Sequence, residues 1–205
     1  MLKQEFQLTD IEQLAWAGLV SKGISKAISG LSEMVGQTMK VTALNPVQVP
    51  LKDVPDLFGG PEELAVGIYL SISGSANGHI LLVYKPKIAF ELVDLLMEEA
   101  LGTTNDLDEI ETSALGEMGN IMGSFFLNSL ADHTGLSLQP SPPVVIMDMA
   151  GAILDIALAD MMMYSDVASI IDAAFGTDDQ QVTGSFLVLP TPDLLVTLSQ
   201  QWRNS

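Results

Sequence analysis

Ser113, Glu117 and Asn120 fall at i, i+4 and i+7 of a run that reads as one amphipathic helix, roughly Leu107 to His133. The three polar side chains therefore share one face. A carboxylate beside a primary amide on a rigid helix can grip a partner and hold a water molecule. It cannot act as the nucleophile–base pair that splits esters or peptides. The following turns are strongly apolar (Ile121, Met122, Phe125, Phe126, Leu127, Leu130), and Pro142 and Pro143 lie further downstream. Around Asn120 a locally less acidic surface is expected, with Met118, Gly119 and Gly123 leaving room for close approach.

Composition narrows what such a site can serve. The chain has 205 residues and is 48% hydrophobic, enough for a substantial core in one domain. A net charge of −18 excludes a phosphate-tracking nucleic-acid surface. No Lys/Arg-rich helix suggests binding to anionic lipid. Without cysteine there is no disulfide framework, thiolate zinc site or Cys nucleophile. No signal-peptide pattern stands at the N-terminus, so the expected compartment is the cytoplasm. Val144 to Tyr164 is apolar enough to suggest a membrane span, but it holds Asp148, Asp155 and Asp160. Each would cost roughly 2.5–3.5 kcal/mol near a bilayer centre. The stretch reads as a buried strand followed by a core-facing helix.

The elements that must position the motif can be followed along the chain. Thr9 or Asp10 caps a first long helix running to about Gln37, with Gly36 near its end. Met39 to Leu51 reads as extended, and the Pro- and Gly-punctuated Asp53 to Glu63 as a connection. Leu64–Ser73 and His79–Tyr84 read as a hairpin closed by Gly74-Ser75-Ala76-Asn77-Gly78. A helix over Lys87–Leu101 ends at Gly102. After the long helix come an extended stretch (Leu136–Met149), a helix (Ile153–Met163), strands near Val167–Phe175 and Val182–Leu189, and a closing helix (Pro192–Arg203).

Leu31 and Gly36 align with Leu130 and Gly135 at one constant offset, and Leu82-Val83-Tyr84-Lys85-Pro86 resembles Leu187-Val188-Leu189-Pro190. This reads as an internal duplication over residues 1–103 and 104–205, with a helix inserted in the second half where the first has a loop. The expected fold is α+β: two helix–strand–hairpin–helix units joining their hairpins into one antiparallel sheet, with long helices packed on it. Residues 1–205 then form a single domain.

The spacing Ser113-x-x-x-Glu117-x-x-Asn120, with Pro143 downstream, resembles the signature of the CheC/CheX/FliY family of chemotaxis phosphatases. Length and duplication are most similar to CheC. The resemblance implies hydrolysis of the aspartyl phosphate on a CheY-type response regulator, with Glu117 and Asn120 catalytic and Ser113 and Pro143 supporting. It implies no cofactor on this chain, the Mg2+ being held by the response regulator. It also leaves room for a non-catalytic adaptor that binds a response regulator or the receptor deamidase CheD. The constant offset places Leu14, Gly18, Ser21 and Leu44 where the second half has Ser113, Glu117, Asn120 and Pro143. None is chemically equivalent, so one working site is expected.

Simpler roles account for the other conspicuous residues. Asp106, Asp108, Glu109 and Glu111 suit the positive end of a helix better than a metal. His79 and His133 have no evident ligand set. Met161-Met162-Met163 cannot share one face and divides between core and contact surface.

Overall fold

The computed structural model describes residues 9–163, 166–176, 181–182 and 184–203. In chain order its elements are α1 (Asp10–Val35), β1 (Lys40–Pro50), a 3₁₀ helix (Leu51–Phe58), β2 (Leu64–Gly74), β3 (Gly78–Tyr84) and α2 (Pro86–Leu96). Then follow α3 (Glu109–Thr134), β4 (Leu138–Pro140), β5 (Val144–Met149), α4 (Ala150–Met161), β6 (Val167–Gly176), β7 (Gln181–Val182), β8 (Gly184–Pro190) and α5 (Pro192–Arg203).

The two long helices begin and end alike. At the start of α1, Thr9 accepts from the backbone N–H of Glu12, while the Glu12 carboxylate accepts from the N–H of Thr9. Asp108 and Glu111 make the same reciprocal pair at α3. Such boxes satisfy donors that the first helical turn leaves open. Each helix runs 26 residues and stops at a glycine in the left-handed region, Gly36 and Gly135, where a Cβ would be strained. The acidic cluster before α3 is thus a cap.

Among the described residues the strands pair antiparallel in a five-stranded sheet (β2, β3, β4, β5, β8) and a three-stranded one (β1, β6, β7). β2 pairs with β3 on one side and with β4 and β5 on the other. β3 pairs with β8, joining the two halves, and β6 lies beside β8 and pairs with β1 and β7. Alternate side chains serve two apolar layers. Ile68, Leu70, Ile80, Leu82, Phe186 and Val188 pack with α1, α3, α2 and α5. Leu81, Val83, Leu187 and Leu189 pack with α4 and the 3₁₀ helix. Covered on both faces, β3 is buried at every position. Among the described residues no helix is long and apolar enough to cross a membrane.

Three expectations are corrected. The Asp53–Glu63 connection begins inside the 3₁₀ helix, because Leu51 and Val54 are three apart and both bury against α4. The first half therefore carries a short helix where a loop was expected opposite the inserted one. The Lys87 helix ends at Leu96, five residues early: Met97 caps it and Glu98 turns into the left-handed region. Finally, the strand in the Val144–Tyr164 stretch is not buried. β5 pairs only with β2 among the described strands, leaving Val144, Met147 and Met149 exposed. The helix after it does face the core, through Ile153, Leu154, Ala157, Leu158 and Met161.

Candidate functional site

Close packing of α3 on β2 sets the site. A Cβ at Gly119 would lie 2.5 Å from Ile68 Cγ2, and one at Gly123 would lie 2.9 Å from Leu70 Cδ2. Only glycine lets the helix approach so closely. Met118, Gly119, Met122 and Gly123 are accordingly buried. This corrects the expectation that Met118, Gly119 and Gly123 open space around Asn120: they fasten the helix from beneath. Ser113, Glu117 and Asn120 are left on the opposite, exposed face.

The second wall is a bulge in the strand pairing. Tyr69 pairs with Val144 and Ile72 with Pro140, so two residues of β2 stand opposite three, Ser141-Pro142-Pro143. Ser141 holds the bulge in place. Its Oγ accepts from the Ser71 N–H at 3.0 Å, its N–H donates to the Ser71 carbonyl at 2.9 Å, and its hydroxyl donates to the Pro142 carbonyl at 3.1 Å. Pro143 then rests on α3, its Cβ 3.5 Å from the position a Gly119 Cβ would take.

Between helix and bulge runs a groove of about 590 Å³ lined by Ser113, Gly116, Glu117, Asn120, Pro143 and Val145, among others. All four residues singled out from the sequence line it. Glu117 is the only ionisable side chain among its described lining residues. Neither Glu117 nor Asn120 has a hydrogen-bond partner within the described residues, nor does the Ser113 hydroxyl. The groove thus presents a carboxylate and an amide one turn apart, both free to bind something else. Ser141, which positions the Pro143 wall, was missed; its one signal in the sequence is a serine directly before two prolines.

His79 is a sheet residue with partners. Its Nε2 lies 3.1 Å from an Asp160 oxygen and its Nδ1 lies 3.0 Å from the Tyr69 hydroxyl. Asp160 follows burial as the second cause of a raised Tyr69 pKa, so the phenol stays protonated and the cluster ties β2 and β3 to α4. His133 bonds the Ser129 carbonyl one turn back at the end of α3. Among the described residues no group of three or more His, Cys, Asp or Glu is placed to hold a metal ion.

The antiparallel sheet under two matched helices is a fold similar to that of CheC-like proteins. Residues 110–147, spanning the helix, the bulge and the start of β5, match the model of the CheC-like family. The chain is 25% identical over 179 residues to the CheY-P phosphatase CheC of Bacillus subtilis, covering 83% of this chain and 84% of that protein. In fold it is similar to Thermotoga maritima FliY, with a TM-score of 0.74 at 20% identity over 97% of this chain and 99% of that one. It is also similar to a chain of the CheX–CheY–BeF3–Mg2+ complex of Borrelia burgdorferi, with a TM-score of 0.56 at 17% identity, covering 84% and 97%. The resemblance to the CheC/CheX/FliY family is borne out by sequence and fold.

Proposed function

We propose that this chain is a phosphatase that hydrolyses the aspartyl phosphate of a CheY-type response regulator in chemotaxis signalling, in the cytoplasm. The observation that carries this reading is the exposed, unpartnered Glu117–Asn120 pair in a groove with no other ionisable lining residue. An aspartyl phosphate is an activated acyl phosphate, so its hydrolysis needs no strong nucleophile from the enzyme. What is missing is a water held in line with the leaving carboxylate, and positioning is most of phosphoryl-transfer catalysis. The Asn120 amide enters beside the phosphoryl group and orients that water through its carbonyl or NH2. Glu117 pairs with a basic residue of the partner and fixes the docking angle. Ser113 lines the approach, and Pro143 keeps the opposite wall rigid. The Mg2+ belongs to the response regulator.

The test is loss of phosphate from a radiolabelled CheY-type receiver. Asn120→Ala should slow it by about 10- to 1,000-fold, the range for removing one positioning donor. The side chain is exposed, so the fold should survive. Wild-type turnover by the variant removes Asn120 from the mechanism.

A second reading, an adaptor that binds the deamidase CheD, is favoured by one observation. The outer side of α4 and its end is largely apolar, with Ala152, Ile156, Ala159, Met162 and Met163 exposed around a single carboxylate, Asp155, a composition suited to a protein partner. Co-elution of the purified chain with CheD tests it, and the two activities are compatible.

A further inference from the structure

On the α4 side of the sheet the apolar layer stops short and leaves a cavity against the 3₁₀ helix. Within that layer β3 and β8 set Leu81 opposite Leu187, and both pack with α4. Two residues along on the same face, Val83 stands opposite Ser185. Together with Ala65 of β2 and Ala174 of β6, these short side chains line a hollow of about 630 Å³, a size suited to a small molecule. Leu57 and Phe58 of the 3₁₀ helix form a wall. Leu57 and Leu64 line the cavity and are 46% and 49% exposed, so its apolar surface is open to an incoming ligand.

Two charged side chains stand among its described lining residues, Glu63 and Lys85, of opposite sign. Neither has an ion pair or a side-chain hydrogen bond among the described residues. The stem of Glu63 lies over the turn at Gly59, where a Cβ would come within 3.0 Å of Glu63 Cγ. Lys85 is the N-cap of α2, whose first turn holds Pro86 and no acidic residue, so the positive end of the helix dipole adds to the lysine charge. A cavity with apolar walls that leaves one acid and one base unpaired matches a molecule carrying both charges on an apolar body. A ligand with one charge would use only half of that polar equipment.

We propose that this cavity binds a small zwitterion with an apolar body, an amino acid or a dipeptide, its ammonium on Glu63 and its carboxylate on Lys85 at the start of α2. The Asn120 groove opens on the α3 side of the sheet, so this binding is measured without a response regulator and stands apart from the reading of that groove. Calorimetric titration of the full chain with L-phenylalanine and with leucyl-phenylalanine separates the two sizes, and at least one should bind at one per chain. N-acetylation or C-terminal amidation of the bound probe should each weaken binding about 10-fold, the loss of one charged hydrogen bond. Glu63→Gln should weaken the unmodified probe by the same factor and leave the N-acetylated one unaffected, and Lys85→Met should stand in the same relation to the amide. Both side chains are exposed, so the variants should fold. Binding of neither probe overturns the proposal, as does binding that Glu63→Gln and Lys85→Met leave unchanged.

Discussion

Asp94 is a carboxylate with no access to water, placed where the two halves of the chain meet. It accepts from the backbone N–H groups of Gly102, Thr103 and Thr104 at 2.6, 3.3 and 2.8 Å. Burial by itself would raise its pKa. The Thr104 hydroxyl and these backbone donors outweigh that and hold the carboxyl below the ordinary aspartate value of 3.8. A lowered folded pKa favours the ionised form, so the stabilisation is fully present above 3.8 and is lost as pH falls through the folded value. Asp94→Asn should therefore destabilise the protein at neutral pH, and its deficit should shrink below about pH 4 as the wild-type carboxyl protonates. Urea unfolding of both proteins from pH 7 to pH 3 measures this, and a constant gap would show that Asp94 acts through shape alone. Nothing in the sequence marks Asp94, because its ligands are backbone groups that any residues could supply. The shared exposed face of Glu117 and Asn120 is legible for the opposite reason: it follows from side-chain type at helical spacing. Ser141 falls between, its hydroxyl visible but its partner Ser71 far away in sequence.

At the scale of elements, the groove beside α3 takes its shape from how closely the helix lies on β2. Gly119→Val would drive a side chain into Ile68 and against Pro143. The expected cost is about 1–3 kcal/mol, the usual range for overpacking a tight contact. Because the lifted helix also widens the groove, dephosphorylation should fall although no groove-lining side chain has changed. Denaturant unfolding combined with the phosphatase assay tests both effects, and a stable variant with full activity would mean that the spacing of helix and strand is not critical. The helix, its cap and its glycine stop could be read from sequence, since capping box and left-handed terminus are local rules. The side served by Gly119 and Gly123 could not, because a glycine that makes room for a neighbouring strand looks the same as one that makes room for a ligand. β5 was misjudged for a related reason. Its apolar run suggests a buried strand, and edge position depends on which strands remain unpaired after the whole sheet has formed.

For the molecule as a whole, the open question is whether the two halves are separable. The repeated order of elements could be read from the sequence, but the way the copies join is a matter of long-range packing. β3 belongs to one half and β8 to the other, and they pair over their full length, Gly78 with Pro190 through Tyr84 with Gly184. On the helical side, the Phe126 ring occupies the space above Gly23, where a Cβ would approach it to 2.7 Å, and Phe125 does the same at Gly30 at 2.8 Å. Trp16, Val20, Ile24 and Ile28 of α1 share one buried cluster with Met122, Phe126 and Leu130 of α3. Cutting the chain between the halves would expose that helical face and leave β3 with an unpaired edge, a template for aggregation. Fragments 1–103 and 104–205, made separately, should lack cooperative thermal unfolding and near-ultraviolet dichroism. Mixing them during refolding should restore both signals, together with phosphatase activity. The decisive contrary result would be a 104–205 fragment that folds alone and turns over the receiver, because the first half would then be a passenger and not half of one core.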